Sequence, residues 1–231
     1  MTPLQAKADF IRKEIVRVSV ENGAGHIAPS LSSVDILTAL YYKVLKRNGD
    51  PHWSQRDRVV FSKAHGCYGL YAILADLGLV PMEEWNTFYK GSRLTGCQER
   101  NLEYGIEAGC GSLGHGLPLA VGMAFAAKLQ NLSWKVYCIA GDGEMQEGSM
   151  WESLQFAAWH KLSNLFLIID KNNLQAMDFC DNILTLPNNP DDLKKKCEAF
   201  GFHSVQVNGH NTDSIADLLE QLDISGITKP K

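Results

Sequence analysis

The stretch Val136–Leu174, VYCIAGDGEMQEGSMWESLQFAAWHKLSNLFLIIDKNNL, decides the fold. Val136 to Ala140 is an apolar run without polar alternation, as expected of a strand buried on both faces. Gly141-Asp142-Gly143 breaks it, and an amphipathic helix follows from about Gly148 to His160, with Trp151, Leu154, Ala158 and Leu162 predicted on one side. Leu165 to Ile169 is a second apolar strand, closed by Asp170-Lys171-Asn172-Asn173. A strand–helix–strand unit of this kind is a right-handed crossover between parallel strands, so the loops that end both strands emerge at one edge of the sheet. Open parallel sheets bind their ligands at that carboxyl edge. The fold class that follows is α/β, a mostly parallel sheet with helices on both faces.

Oxygen ligands and bare backbone meet at that edge. Asp142 offers a carboxylate, Asn172 a side-chain carbonyl, and the next loop a main-chain carbonyl near Leu174. Three oxygen donors with room for water suit a hard cation of the Mg²⁺ type, which completes its octahedron with oxygens of a phosphorylated ligand. Gly143 removes a side chain where a diphosphate would approach backbone N–H groups near a helix start. Taken alone, a Gly-Asp-Gly turn is also what any tight turn with a solvated acid carries. The asparagine at the end of the neighbouring strand is the added feature.

With Asn172 one crossover after GDG, the stretch resembles the thiamine diphosphate and Mg²⁺ signature of the transketolase superfamily. GDGEMQEGSMWE is similar in particular to the N-terminal halves of transketolases made as two separate chains, and the resemblance runs from about residue 10 to residue 220. It implies the thiamine diphosphate-binding fold, thiamine diphosphate and Mg²⁺ as cofactors, and Asp142, Asn172 and Leu174 as metal ligands. Within it, RDRVVFSKAHG resembles the family's strand leading to a histidine near the diphosphate and substrate, which is His65 here. Gly109-Cys110-Gly111-Ser112-Leu113-Gly114-His115-Gly116 resembles the glycine-rich turn beside the cofactor, so Ser112, Leu113 and Gly114 join Asp142, Gly143 and Asn172 as cofactor-binding residues. His26 follows Gly25 as the family's substrate-facing histidine follows its glycine. Asn208-Gly209-His210-Asn211 resembles an Asp-Gly-His-Asp segment with both acids replaced, which gives His210 a catalytic and cofactor-binding role. Glu147 stands where the family's glutamate reaches across the subunit boundary. One segment departs from the pattern. Where the family has Gly-His-Pro-Glu, this chain reads Gly96-Cys97-Gln98-Glu99, so Cys97 occupies the position of a substrate-contacting histidine. A thiol cannot replace an imidazole as a hydrogen-bonding cation or acid at neutral pH, which puts the usual substrate in doubt.

Length and composition bound the rest. The 231 residues suit one large α/β domain, residues 1–231, and 45% hydrophobic with 21% charged residues is ordinary for a soluble globular protein. A net charge of −4 gives no electrostatic case for nucleic acid or an anionic membrane surface as partner. The longest apolar stretch, Leu117 to Ala127, is too short to span a bilayer and contains Pro118 and Gly122. The six cysteines have neither CxxC nor zinc-ligand spacing, so reduced thiols and a cytoplasmic location are expected.

Local signals complete the expectation. Thr2-Pro3 opens a first helix that ends before Gly23, and Ser32 to Asp35 reads as a capping box for the next one. Gln175 to Asn189 reads as polar and turn-rich, with a helix from about Asp191 to Phe200. His203 to Val207 reads as a strand, Thr212 as the cap of the last helix, and Gly226 to Lys231 as a tail without structure. Thiamine chemistry needs a second domain to cradle the aminopyrimidine, and none follows Lys231. The resemblance therefore implies the N-terminal, diphosphate-binding subunit of a two-chain enzyme, with the pyrimidine-binding domain on a C-terminal transketolase-like partner in an α₂β₂ heterotetramer. The activity it implies is transfer of a two-carbon ketol unit from a ketose to an aldehyde, with His26, His65, His210 and Glu147 as catalytic residues, and His26 and Cys97 toward the sugar. An E1α-like subunit of a 2-oxoacid decarboxylase or dehydrogenase, and a non-catalytic scaffold that retains the fold, are the alternatives.

Overall fold

The structure, a computed structural model, describes residues 1–23, 25–184 and 192–231. In chain order its main elements are α1 (Pro3–Asn22), α2 (Ile27–Ser32), α3 (Val34–Ala39), β1 (Arg58–Phe61), α4 (Cys67–Asp76), α5 (Met82–Asn86), α6 (Gly116–Leu129), β2 (Val136–Gly141), α7 (Gly148–Trp159), β3 (Leu165–Asp170), α8 (Cys180–Ile183), α9 (Asp192–Ala199) and α10 (Thr212–Ile224). The chain divides into two compact units. The first is Met1–Asp57, Ala64–Gly111 and Val207–Ile224, and the second Arg58–Lys63, Ser112–Gln206 and Ser225–Lys231.

The second unit holds the sheet. Its strands are parallel in the order β1-β2-β3, and the register sets Arg58 opposite Val136, Val136 opposite Leu165, and Gly141 opposite Asp170. The expected β2–α7–β3 crossover is present. β2 is buried through Ala140 because α6, rich in alanine and glycine, lies close against all three strands. The buried face of α7 is Met150, Ser153, Leu154 and Ala157 rather than the predicted face through Trp151 and Ala158. Trp151 turns aside to pack on Phe200, ring centroids 5.1 Å apart.

The first unit is helical. Thr2 caps α1 by accepting the Gln5 N–H, and Gly23 ends it at φ +68°. Ile11, Ile15 and Val18 of α1 are fully buried, and α1 packs on α3, α4 and α10. The capping box does not form. Asp35 is buried and bonds instead to the Arg12 guanidinium and, at 2.8 Å, to the Thr212 hydroxyl. A charged partner holds a buried carboxylate more strongly than a single backbone N–H at a helix end. Thr212 is thereby diverted, and Asn211 Oδ1 caps α10 by accepting the Ser214 N–H at 3.0 Å.

Two further expectations are corrected. Residues 203–207 form no strand, and Val205 and Val207 are each 41% exposed. The place a strand would take beside β3 belongs to the tail, where Lys231 is buried, accepts the Leu167 N–H at 2.7 Å and donates to Leu165 O at 3.1 Å. An exposed strand edge gains by such pairing, which orders a segment without local propensity. The predicted turn-rich stretch and the predicted helix start at Asp191 fall partly on residues 185–191, outside the described residues, as does Ala24.

Candidate functional site

In the second unit the ends of β1, β2 and β3 come to one edge, each held by buried polar groups. Asp142 follows β2 directly. Its Oδ1 accepts the Gly143 N–H at 2.9 Å and its Oδ2 the Asn173 N–H at 2.6 Å. Asn173 makes that bond from φ +60°, a conformation asparagine tolerates better than most residues. Burial pushes the Asp142 carboxyl above its usual range, and the neighbouring Asp170 acts in the same direction. A cation would favour its charged form. Asn172 Oδ1 accepts the Leu174 N–H at 2.9 Å in a tight turn, a bond that uses one of the two lone pairs of the amide oxygen.

Glu144 and Lys63 fasten this edge from behind. Glu144 is buried. Its Oε1 accepts from the Ser62 hydroxyl at 2.5 Å and from the Gly114 N–H at 2.9 Å, and its Oε2 accepts the Gly141 N–H at 3.2 Å. One carboxylate thus ties the end of β1, the glycine-rich turn and the end of β2. Lys63, only 1% exposed, pairs with Asp170 at the end of β3, Nζ to Oδ2 2.5 Å. Gly114 adopts φ +81°, and a Cβ there would lie 2.6 Å from Ser149 Oγ and 2.7 Å from Glu147 Cβ. Only glycine fits this close approach. Ser112 is exposed and Leu113 half-buried on the same turn. Glu147 is exposed with extended backbone, φ −72° and ψ 136°, and stands just before α7.

This edge fits the implied groups. Among the described residues no cluster of three His, Cys, Asp or Glu side chains could hold a metal. A metal here would rely on one carboxylate, one amide oxygen, a main-chain carbonyl and the ligand's own oxygens, a donor set that suits Mg²⁺ rather than a soft or imidazole-seeking ion. Gly114 has its own N–H held by Glu144 and its carbonyl by the Ser149 hydroxyl, so an anion at this turn would meet the backbone of the exposed Ser112 and half-buried Leu113.

The first unit carries the remaining candidates. His26, exposed, immediately precedes α2, and His65, half-buried, precedes α4; their rings meet edge to face with centroids 6.3 Å apart. His210 is exposed on the turn before α10, where its N–H donates to Asn208 Oδ1 at 3.0 Å. Cys97 is half-buried, and its carbonyl accepts from the Thr95 hydroxyl at 2.6 Å. Cys67 donates to Gly96 O at 3.4 Å, and burial pushes its thiol up to about 12. The six cysteines are free thiols.

Sequence reasoning missed Glu144, Asn173 and the Lys63–Asp170 pair. A lysine two residues past an apolar strand was the available signal for the pair; the burial of Glu144 depends on Ser62 and Gly114, which are distant in sequence.

Residues 5–229 match the family model described as transketolase, thiamine diphosphate binding domain. The chain belongs to the transketolase family. It is 42% identical to an apulose-4-phosphate transketolase subunit of Actinobacillus succinogenes, over 96% of this chain and 80% of that one. It is 39% identical to a 6-deoxy-6-sulfo-D-fructose transketolase subunit of Clostridium sp. strain MSTE9, over 94% of this chain and 78% of that one. Among solved structures, transketolase from Campylobacter jejuni superposes with a TM-score of 0.87 at 34% identity, over 100% of this chain but 37% of that one. This transketolase domain therefore spans most of the two relatives named as subunits and about a third of the solved enzyme. The α/β fold with a parallel sheet read from the sequence is the fold of the transketolase N-terminal region. No helix among the described residues is long and apolar enough to cross a membrane.

Proposed function

We propose that this chain is the N-terminal, diphosphate-binding subunit of a two-chain transketolase that transfers a two-carbon ketol unit from a ketose to an aldehyde. The observation that carries this reading is the buried Asp142 carboxylate at the end of β2, bonded to the Gly143 N–H and to the Asn173 N–H of the loop at the end of β3. Similarity along most of the length of two relatives that are themselves transketolase subunits supports a partner chain. Residues 1–231 are one thiamine diphosphate-binding domain in this reading, and the pyrimidine-binding domain lies on a separate C-terminal chain, in an α₂β₂ assembly.

Asp142, Asn172 and the Leu174 carbonyl would hold Mg²⁺, which offsets the charge of the diphosphate. Ser112 and Leu113 would present backbone to it, Gly114 and Gly143, whose N–H groups are held by Glu144 and Asp142, would leave it room without a side chain, and His65 and His210 would be further cofactor contacts. Thiamine diphosphate, when bound, supplies the electron sink for breaking and making the carbon–carbon bond. The protein's own part is to orient, to exclude water and to move protons. His26, His65 and His210 would hold sugar hydroxyls and take or return protons at the substrate carbonyl and hydroxyl oxygens. Cys97 lines the sugar position without an imidazole. Glu147, exposed before α7, would reach toward an acid of the partner. Six free thiols suit a reducing compartment, and the cytoplasm is the proposed location. The test is a ketol-transfer assay on the chain mixed with its C-terminal partner, with Mg²⁺ and thiamine diphosphate. Transfer only by the mixture is expected, and no transfer by the assembled pair from any ketose tried would refute the reading.

A further inference from the structure

Tyr89 is, among the described residues of the first unit, the one non-glycine residue with positive φ. It holds φ +66°, a region in which a bulky aromatic residue is strained, and it is 47% exposed. Strain of this kind persists only where surrounding contacts over-determine it, and it gathers at functional positions. The contacts here are specific. The Tyr89 ring lies against Phe88, centroids 4.4 Å apart, and edge to face with Tyr68 at 6.2 Å. The two hydroxyls meet at 2.8 Å. Tyr68 is fully buried, and its ring passes 2.5 Å from where a Cβ on Gly25 would sit, next to His26.

The Tyr89 hydroxyl also covers Gly96, where a Cβ would lie 2.2 Å from the oxygen. Gly96 is the residue before Cys97. This turn is pinned from the core side as well, since Tyr71 donates its hydroxyl to Thr95 O at 3.0 Å and Cys67 its thiol to Gly96 O. Burial, reinforced by the bond to Tyr89, raises the Tyr68 hydroxyl's pKa, so Tyr68 stays a neutral phenol that can donate to Tyr89 or accept from it. The strained backbone therefore delivers the hydroxyl of a partly exposed tyrosine, held by the hydroxyl of the buried Tyr68, to the Gly96–Cys97 turn. That turn carries Cys97 where the family pattern it resembles has an imidazole.

We propose that Tyr89, positioned by Tyr68, is a specificity-determining residue that hydrogen-bonds a hydroxyl of the sugar substrate beside Cys97. The inference rests on the transketolase reading above and adds a residue which that reading does not use. Tyr68 acts through Tyr89 and is a positioning residue.

The experiment uses the chain assembled with its C-terminal partner, Mg²⁺ and thiamine diphosphate, with fructose 6-phosphate and xylulose 5-phosphate as donor probes and ribose 5-phosphate as acceptor. Tyr89→Phe keeps ring and backbone and removes only the hydroxyl. Its KM for the better donor should rise roughly 3- to 10-fold, the worth of one neutral hydrogen bond, while thiamine diphosphate affinity by calorimetry stays within about twofold of wild type. Tyr68→Phe should move KM in the same direction by less, and serves as the test if Tyr89→Phe folds poorly. Wild-type KM values in a folded Tyr89→Phe complex that transfers ketol normally would overturn this inference alone. So would a loss confined to cofactor affinity, which would mark a structural role. If neither donor serves the wild-type complex, the comparison is made with whichever ketose it does use, and failure to transfer from any ketose tried would overturn the inference together with the reading it rests on.

Discussion

The sheet edge of the second unit and the histidine-bearing turns of the first unit solve opposite problems. At the sheet edge the strand ends are held by buried charge: Asp142 on two backbone N–H groups, Glu144 on three donors, Lys63 on Asp170. In the first unit His26 and His210 are exposed, His65 and Cys97 are partly so, and the turn at 95–97 is held by aromatic hydroxyls and backbone carbonyls. A diphosphate with its metal is the same ligand in every enzyme that uses it, so a rigid, desolvated cradle is an advantage. Sugars differ by single hydroxyls, and residues on exposed turns can change without disturbing a core. Under the proposed function, the difference separates the region free to vary with the sugar from the region bound to the cofactor.

The largest effect should come from the cradle. Asn172→Ala removes the amide oxygen and should weaken Mg²⁺-dependent thiamine diphosphate binding on the order of 100-fold or more. Altering a group that only supports a metal ligand already costs about 10- to 100-fold. Calorimetric titration of the assembled pair checks it, and an affinity near wild type would dissolve the contrast between the two regions.

Next is the buried pair behind the cradle. Lys63→Met leaves Asp170 charged in a low-dielectric site and should destabilise the chain by about 3–5 kcal/mol in urea unfolding. A loss near zero would mean that solvent reaches this strand end and that the edge is not the rigid half of the comparison. Glu144→Gln should cost less, about 1–3 kcal/mol, because an amide cannot accept from all three donors and sets its own N–H₂ against one of them. Its cofactor affinity should fall in parallel, since the glycine-rich turn loses its anchor; an unchanged affinity would assign Glu144 to stability alone.

The smallest effect belongs to the exposed region. Cys97→Ser should keep turnover within a few-fold of wild type, and Cys97→His should change the ranking of donor sugars more than the rate with the best one. Complete loss in Cys97→Ser at unchanged cofactor binding would show a catalytic thiol, and would make the first unit as intolerant as the second.

What the sequence discloses follows the same divide. The β2–α7–β3 unit and the pair Asp142 and Asn172 are legible because apolar strands and their terminating turns are local features of the chain. Glu144 is not legible, because its burial depends on Ser62 and Gly114, which lie 82 and 30 positions away. Asp35 reads as a capping residue because its true partners, Arg12 and Thr212, come from α1 and α10. The supposed strand at 203–207 shows the limit of alternation as a signal. His203 makes one backbone bond, to Pro230 O at 2.9 Å, and the edge of β3 is taken by Lys231, whose local sequence gives no hint of it. The face of α7 differs from its expected position by one residue, enough to exchange Met150 for Trp151. In each case the missing information is a partner distant in sequence.

The central claim is that Asp142 anchors a metal-dependent diphosphate site built on the ends of β2 and β3. The most direct measurement is calorimetric titration of thiamine diphosphate into the chain assembled with its C-terminal partner. It is run with Mg²⁺ and again with EDTA, for wild type and for Asp142→Ala. Tight binding by wild type in Mg²⁺, and its loss both in EDTA and in a folded Asp142→Ala complex, is the predicted result. Equal affinity in EDTA, or wild-type affinity in Asp142→Ala, would contradict it.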